Sequence, residues 1–250
     1  MKLSIVVPIF NESDILEKVL QRLFKVQFSI SVEYILIDDC STDRSSEIIG
    51  AYAIKPNVKS FRLPENQGKG AALRKGLSLV DGDIITLHDA DFEYNPADLT
   101  KLIQPILDDQ ADIVYGSRFK SNSPQVHRTF HYLGNRFLTF LSNIFSGLYL
   151  SDMETCYKVF RSEILLALPL NSNRFGFEPE VTAKVAKLNV RVHEYPITYH
   201  PRNYVQGKKI SAKDGMAAIW FIIKYNISKL PKTVYDKLPE KYIKSGPHWL

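Results

Sequence analysis

The chain has 250 residues, of which 45% are hydrophobic and 24% are charged. This composition excludes disordered and fibrous classes and suits one large globular domain with a substantial core. The net charge of +5 is uneven, because residues 191–250 carry 11 Lys and Arg against 4 Asp and Glu. A basic C-terminal end fits nucleic acid, an anionic membrane surface or phosphorylated substrates, and it fits a solvated tail equally well.

Strands and helices alternate in the first half of the chain. Apolar runs predict strands at residues 3–7, 34–37, 58–63, 84–87 and 113–115. Periodic apolar residues predict helices that begin at Ser13, Thr42, Gly68 and Pro96. This order predicts an α/β fold with a mostly parallel central sheet and helices on both faces. Ligands then bind at the carboxyl ends of the strands.

The second half follows a different pattern. Periodicity predicts a long amphipathic helix over about residues 126–145 and a final helix over 211–227. No apolar run reaches the roughly 18 residues that a membrane span requires, so we expect no span. We expect one domain over residues 1–230 and a C-terminal tail over residues 231–250. With two cysteines and no signal-like hydrophobic segment, a reducing, cytoplasmic location is expected.

Acidic and polar residues follow the first, second and fourth predicted strands. They are Asn11 and Glu12, residues 38–43, and residues 89–93. A nucleotide would lie at these strand ends, where an acidic group can accept hydrogen bonds from a base or ribose. Ser41, Thr42 and Asp43 are also residues that cap helices, and capping is the favoured interpretation for Thr42.

Asp89 and Asp91 come directly after the strand at residues 84–87. Two unpaired carboxylates there would repel each other, and a hard divalent cation removes the repulsion. Mg²⁺ or Mn²⁺ binds one or two carboxylates together with diphosphate oxygens, so the pair suits a nucleoside diphosphate, with Glu93 as a candidate third ligand. An isolated Asp-x-Asp is common in loops, but this one follows two other strands with acidic ends.

Five motifs occur in order: VVPIFNE at 6–12, IDDxSxD at 37–43, GKGAA at 68–72, DAD at 89–91 and GSR at 116–118. The set resembles family 2 glycosyltransferases of the GT-A fold over about residues 1–225, and is most similar to the dolichyl-phosphate mannose or glucose synthase group. The resemblance implies an inverting, metal-dependent transfer of a sugar from a UDP- or GDP-sugar to a polyprenyl phosphate, such as dolichyl or undecaprenyl phosphate.

The resemblance also implies donor-binding residues. They are Pro8, Phe10, Glu12 and Asp39 around the base and ribose, with Asp89, Ala90 and Asp91 at the diphosphate and its metal. Glu93 stands where relatives often have Gln. Lys69 lies at a helix start that suits phosphate, although plain helix packing explains it nearly as well. Arg202, in a basic loop before the final helix, would close on the diphosphate, or form part of a solvated basic face.

Acceptor and sugar contacts follow from the same resemblance. Arg118 and Arg128 would bind the acceptor phosphate, since a guanidinium presents a fork of donors. Asp152 and Glu178 lie in segments that close around the transferred sugar in the family. Surface salt bridging, or a favourable charge at a helix start, is the alternative for both.

An alcohol acceptor needs a general base, whereas a phosphate monoester with a second pKa of about 6 is already a dianion at neutral pH. The enzyme would then mainly position the reactants. Arg118, Arg128 and Arg202 would offset phosphate repulsion, and a metal at Asp89 and Asp91 would stabilise the departing nucleoside diphosphate.

Apolar residues of the long helix and the final helix predict a surface that lies in a membrane interface. The set is Phe137, Leu138, Phe140, Leu141, Ile144, Phe145, Leu148 and Leu150, with Trp220, Phe221, Ile222 and Ile223. Ordinary core or a dimer interface is the alternative. The chain is expected at the cytoplasmic face of a membrane, bound peripherally or through a separate membrane-protein partner.

Two other functions fit the same residues. The first is a family 2 transferase with a soluble or polysaccharide acceptor, in which Asp152 or Glu154 would be the base. The second is a non-catalytic nucleotide-sugar-binding scaffold, against which Asp89, Asp91 and Arg118 argue. Nucleic-acid binding is not expected, because the basic residues lack spaced aromatic platforms or a reading helix.

Overall fold

A seven-stranded sheet forms the centre of the computed structural model, which describes residues 1–120, 129–174, 176–201 and 212–244. The strands are β1 (Lys2–Ile9), β2 (Ser31–Asp38), β3 (Val58–Arg62), β4 (Ile84–Leu87), β5 (Ile113–Ser117), β6 (Lys158–Arg161) and β7 (Val192–Pro196). The helices are α1 (Ser13–Phe24), α2 (Ser45–Ala53), α3 (Lys69–Leu77), α4 (Asp98–Leu107), α5 (Thr129–Ser146), α6 (Ser162–Ala167), α7 (Phe177–Val185), α8 (Ala212–Ile227) and α9 (Lys232–Tyr235).

The strand order is β3-β2-β1-β4-β6-β5-β7. Neighbouring strands are parallel except at β6, which pairs antiparallel with both β4 and β5. The predicted α/β fold with a mostly parallel sheet is therefore confirmed. The predicted alternation does not include β6, because its two apolar residues lie between Lys158 and Arg161 and form no apolar run.

The interior of the sheet is apolar on both faces. Leu3, Ile5, Ile35 and Ile84 have no exposed surface. Continuous apolar runs of this kind are typical of parallel strands that helices cover on each side. Helix α3 contacts β1 and β2, whereas α4 contacts β5 and β6. Strands β1, β2, β4 and β5 run in the same direction, so the loops that follow them meet at one edge of the sheet.

Two non-glycine residues directly beyond strands adopt the left-handed backbone conformation. Asn11 has φ 51° after β1, and Cys40 has φ 61° after β2. Left-handed backbone is unfavourable for residues with a Cβ and concentrates at functional sites. These two turns therefore make the edge at which β1 and β2 end a candidate functional edge of the sheet.

The start of α3 lies against the loop that precedes α7. A Cβ at Gly70 would lie 2.1 Å from the carbonyl oxygen of Ser172, and one at Gly68 would lie 2.7 Å from the carbonyl oxygen of Asn173. Gly68 also has φ 93°. Only glycine fits at this approach, which brings Lys69 towards α7.

We expect Gly70→Ala to destabilise the fold by about 1–3 kcal/mol, because its methyl group must displace backbone rather than a flexible side chain. Gly50→Ala in α2 is the matched control, since nothing lies within 4 Å of a Cβ there. The control should stabilise by about 0.5–1 kcal/mol. Urea unfolding measures both changes, and an unchanged free energy of unfolding for Gly70→Ala would contradict the close approach.

The described part of the predicted C-terminal tail, residues 231–244, packs against the domain. Val234, Leu238 and Tyr242 are buried. The hydroxyl of Tyr242 donates to Glu163 Oε1 at 2.7 Å, and its carbonyl oxygen accepts the backbone N–H of Asn189. This segment thus contributes to the core as well as following it.

Helices α5 and α8 contact each other and both expose large apolar side chains. The exposed residues are Tyr132, Leu133, Phe137, Phe140, Ile144 and Phe145 on α5, with Met216, Trp220 and Ile227 on α8. Of the predicted apolar surface, Leu150 and Ile222 are instead buried in the core. No helix within the described ranges is long and apolar enough to cross a membrane.

Candidate active site

Hydrogen bonds join the loops that follow β1 and β2. The backbone N–H of Thr42 donates to Asn11 Oδ1 at 2.8 Å. Asp43 accepts the backbone N–H groups of Ser13 and Ser45, each at 2.9 Å. Burial opposes ionisation of Asp43, but these bonds lower its pKa to about 2. Asp43 therefore serves the starts of both α1 and α2, and the preference for Thr42 as the capping residue is wrong.

Asp39 is buried at the end of β2 and fixes the loop that leads into α3. Its carboxylate accepts the side-chain amide of Asn66 and the backbone N–H groups of Gln67 and Gly68, each at 2.8 Å. Burial raises the pKa of Asp39, and the backbone hydrogen bonds oppose that rise. The predicted contact with base or ribose stays a prediction, and it would use the lone pairs left after these three bonds.

Three further predicted donor residues lie at the same edge. Pro8 is in β1, and Phe10 and Glu12 follow it; all three are half-buried. Ala90, between the two predicted metal ligands, is buried. The fold therefore gathers the residues that the motifs predict around base, ribose and diphosphate.

Lys69 bridges two carboxylates at the start of α3. Its ammonium lies 2.8 Å from Asp89 Oδ1, beyond β4, and 3.0 Å from Glu178 Oε1, on α7. Burial disfavours the charged forms, but the pairing raises the pKa of Lys69 well above its usual value and lowers that of Asp89. Three separate segments are thus joined by one half-buried cation.

Asp91 and Glu93 differ in their surroundings. Asp91 is buried and accepts the backbone N–H of Glu93 at 2.9 Å. The carboxylate of Glu93 accepts the hydroxyl of Tyr199 at 2.9 Å. Within the described ranges, no group of three or more Asp, Glu, His or Cys is placed to hold a metal ion. Asp89 and Asp91 fit a cation that diphosphate oxygens also bind, as is usual for Mg²⁺.

Arg118 and Asp152 form a buried ion pair. Arg118 Nε donates to Asp152 Oδ2 and Nη2 to Oδ1, both at 2.7 Å, and the backbone N–H of Arg118 also donates to Oδ2. The guanidinium carbon lies 5.2 Å from the centre of the Tyr199 ring. Burial opposes the charge of Arg118, but Asp152 keeps its pKa well above the usual value. Asp152 thereby holds one edge of the guanidinium, and the other edge can serve an anion.

The loop after Asp152 supplies Lys158, which the sequence does not single out, and Glu154, which the sequence suggests only as a base for a soluble or polysaccharide acceptor. Lys158, on β6, is fully buried and donates to the carbonyl oxygens of Met153 and Thr155. Burial lowers the pKa of Lys158. Burial, followed by the charge of Glu178, raises the pKa of Glu154 to about 7. No motif signals these surroundings, because the charged neighbours Glu178 and Arg118 are distant from Glu154 in sequence.

Three buried side-chain atoms have no hydrogen-bond partner among the described residues: His88 Nε2, Glu154 Oε1 and Thr155 Oγ1. His88 precedes Asp89, and Glu154 and Thr155 follow Asp152, so all three flank the predicted site. Buried polar atoms are otherwise almost always paired. Their concentration here supports a site built for a polar ligand.

Three predicted segments lie outside the described residues. Arg128, predicted to bind acceptor phosphate, precedes the described start of α5. Arg202 falls within residues 202–211, together with the basic loop predicted to close on the diphosphate. Phe175, at the beginning of the predicted sugar-contact segment, is also outside.

The model of the family described as "Glycosyl transferase family 2" matches residues 4–168. The chain belongs to glycosyl transferase family 2. This membership confirms the predicted family and the predicted enzyme class, a glycosyltransferase. The matched range includes Asp39, Lys69, Asp89, Arg118 and Asp152.

Curated relatives carry related names. The chain is 31% identical over 212 residues to "Low-salt glycan biosynthesis hexosyltransferase Agl6" from Haloferax volcanii, a match that covers 80% of this chain and 48% of the relative. It therefore spans about half the length of that protein. It is 28% identical over 227 residues to "Dolichyl-phosphate beta-glucosyltransferase ALG5A" from Trichomonas vaginalis, covering 83% of this chain and 68% of the relative.

A solved structure shares the fold of this family 2 chain. Glucosyl-3-phosphoglycerate synthase from Mycobacterium tuberculosis, in complex with Mn²⁺, UDP and phosphoglyceric acid, superposes with a TM-score of 0.69 at 17% identity. The superposition covers 90% of this chain and 78% of that chain. At this identity the likeness supports the GT-A fold alone.

Proposed function

We propose that this protein transfers a sugar, with inversion, from a UDP- or GDP-sugar to a polyprenyl phosphate in a metal-dependent reaction. One observation carries the lipid-phosphate part of the proposal. Arg118, which would bind the acceptor phosphate, is followed by Phe119. The ring of Phe119 lies 5.3 Å from that of Tyr132 on α5. A buried guanidinium thus sits beside the helix that exposes the apolar surface, as a phosphate with a long hydrocarbon tail requires.

The donor would lie along the edge formed by β1, β2 and β4. Asp89 and Asp91 would hold Mg²⁺ or Mn²⁺ against the diphosphate. When bound, the cation stabilises charge on the departing nucleoside diphosphate. Lys69 would balance Asp89 and Glu178 and present a positive charge beside the diphosphate. Two comparisons support this arrangement. One relative is named a glucosyltransferase, and one structure with the same fold contains UDP and Mn²⁺.

The acceptor phosphate would attack the anomeric carbon directly. A phosphate monoester is mainly a dianion at neutral pH, so no residue has to remove a proton. The task of the chain is to bring two anionic groups together. Arg118, held in place by Asp152, would offset their repulsion, and Arg128 and Arg202 are proposed for the same purpose. A direct attack on the face opposite the leaving group inverts the anomeric carbon.

The apolar surface of α5 and α8 would rest on the membrane that holds the acceptor. Phe140, Ile144 and Trp220 are each more than 60% exposed. Arg136 and Lys224, on the same two helices, are exposed as well. Apolar side chains with basic neighbours are typical of helices that lie in an anionic membrane interface. We therefore propose peripheral binding at the cytoplasmic face.

We expect the double variant Phe140→Ser, Ile144→Ser to lose binding to anionic phospholipid vesicles while keeping its thermal stability, because neither side chain is buried. Burying an apolar side chain contributes about 1.5–3 kcal/mol, so the two together should weaken binding roughly 100-fold or more. Vesicle sedimentation measures the change.

Ile54→Ser is the matched control for vesicle binding. Ile54 is 86% exposed but follows α2, away from α5 and α8. Its vesicle binding should equal that of the unchanged protein. Undiminished binding of the double variant would refute the membrane surface and favour a dimer interface, which analytical ultracentrifugation would then detect.

Release of UDP or GDP tests the proposed reaction. A panel of UDP- and GDP-sugars is incubated with Mn²⁺ or Mg²⁺, with and without a short polyprenyl phosphate. We predict release that requires both the lipid phosphate and the metal. One sugar nucleotide should release its nucleoside diphosphate faster than the others. Metal-dependent donor binding without lipid-stimulated release would overturn the acceptor assignment.

A further inference from the structure

The carboxylates of the site differ in how fully they are paired. Asp152 accepts three N–H groups of Arg118. Asp89 and Glu178 share the ammonium of Lys69. Glu154 Oε1, by contrast, is buried with no hydrogen-bond partner in the part of the chain that the structure describes. Glu154 is thus the carboxylate whose pairing is left to a ligand.

The charged residues around Glu154 do not supply the hydrogen bond that its Oε1 lacks. Glu178 on α7 and Asp152 on the same loop repel its negative charge, whereas Lys158 on β6 and Arg118 beyond β5 attract it. Lys158 directs its ammonium to the carbonyl oxygens of Met153 and Thr155. Arg118 is engaged by Asp152. Neither cation donates a hydrogen bond to Glu154 Oε1.

Glu154 is half-buried with one buried oxygen, and the buried Glu33 shows what complete pairing of a carboxylate looks like. Glu33, on β2, accepts Lys2 Nζ at 2.7 Å, Ser4 Oγ at 2.6 Å and the backbone N–H of Asp81 at 2.7 Å. Burial opposes its ionisation, yet these partners lower its pKa to about 2. Burial and Glu178 instead raise the pKa of Glu154 to about 7. The two pKa values differ in direction because Glu33 accepts hydrogen bonds from three donors, whereas Glu154 Oε1 accepts none from the described residues.

We propose that the carboxylate of Glu154 binds the transferred sugar by accepting a hydrogen bond from one of its hydroxyl groups. The inference rests on the proposed function, because it requires a sugar-nucleotide donor. A diphosphate would be repelled by Glu154, Glu178 and Asp152, whereas a sugar ring is neutral and rich in O–H donors. Glu154 therefore recognises the sugar and not the nucleotide, and contributes to the choice of sugar.

The test compares two ligands on one protein. Dissociation constants for UDP, GDP, UDP-glucose and GDP-mannose are measured by calorimetry with Mn²⁺, for the unchanged chain, Glu154→Leu and Glu154→Gln. We expect Glu154→Leu to bind the preferred sugar nucleotide at least about tenfold more weakly, as for loss of a hydrogen bond to a charged group. Its affinity for the nucleoside diphosphate should stay within about twofold of the unchanged chain.

The pH dependence of binding tests whether Glu154 is the group that binds the sugar. Because the sugar hydroxyl donates to the ionised carboxylate, the affinity ratio of sugar nucleotide to nucleoside diphosphate should rise from pH 6 to 8 as Glu154 ionises. Glu154→Gln should show no such rise, since Lys158, Arg118, Glu178 and Asp152 all remain. A rise that persists in Glu154→Gln would assign it to another group and overturn the proposal.

Stability separates recognition from folding. Removing a half-buried carboxylate whose buried Oε1 has no hydrogen-bond partner among the described residues should not lower the melting temperature of Glu154→Leu. Glu33→Gln is the matched control, since it should lower stability and leave both dissociation constants unchanged. An equal loss of affinity for both ligands in Glu154→Leu, or no loss for either, would overturn the proposal. A selective loss in a protein that transfers nothing to polyprenyl phosphate would support Glu154 while refuting the proposed acceptor.

Discussion

Asp91→Asn should abolish most of the sugar transfer without unfolding the protein. The substitution removes a negative charge from the proposed diphosphate and metal position, for which we expect a rate loss of about 100-fold or more. The amide oxygen of Asn can still accept the backbone N–H of Glu93, the bond that Asp91 makes in the structure. Thermal melting should therefore be nearly unchanged.

The choice of Asp91 over Asp89 matters for this experiment. Asp89→Asn would also weaken the Lys69 bridge and confound chemistry with folding. Asp108→Asn is the control, since Asp108 is exposed at the end of α4. We expect the control to keep full nucleotide release. Full activity in Asp91→Asn, equal to that of the control, would place the diphosphate and its metal elsewhere.

Substitutions in the ion pair of Arg118 and Asp152 should change both stability and activity. Removing one member of a buried ion pair leaves the other unpaired, so Arg118→Met and Asp152→Leu should each lower the free energy of unfolding by about 3–5 kcal/mol. The double variant should recover most of that stability, because both charges leave together. It should stay inactive, because Arg118 is the proposed phosphate ligand.

Urea unfolding and nucleotide release, measured on all four proteins, separate the structural and chemical parts of this effect. The exposed pair of Arg44 and Glu47 is the control, and Arg44→Met should cost no more than about 1 kcal/mol. Recovery of activity along with stability in the double variant would show that Arg118 only supports the fold. Additive losses of stability would show that the two residues do not act as a pair.

The sheet and its functional edge could be predicted because their signals are local. Apolar runs gave β1, β2 and β4 within two or three residues at each end, and Ile84–Leu87 matched its strand. The acidic residues after these strands then had to meet at one edge. Strand β6 is as long as β4 but has only two apolar residues, so it is defined by its pairing with β4 and β5.

The pairings within the site could not be predicted, because they join residues far apart in sequence. Lys69 reaches Glu178 across 109 positions, and Arg118 reaches Asp152 across 34. Spacing along the chain favoured neither contact. The same limit applies to Glu154, because the charges of Arg118 and Glu178 reach it from beyond β5 and from α7. Asp43 took the capping role expected of Thr42 because it can serve α1 and α2 together.

The central claim is that a lipid phosphate, unaided by a base, is the attacking group. The most direct test incubates the preferred sugar nucleotide and metal with a polyprenyl phosphate or with the matching polyprenol, and identifies the lipid products by mass spectrometry. We predict a glycosyl phosphate lipid from the phosphate, with inverted anomeric configuration by NMR, and no product from the alcohol. Transfer to the alcohol, or none to the phosphate, would contradict the account.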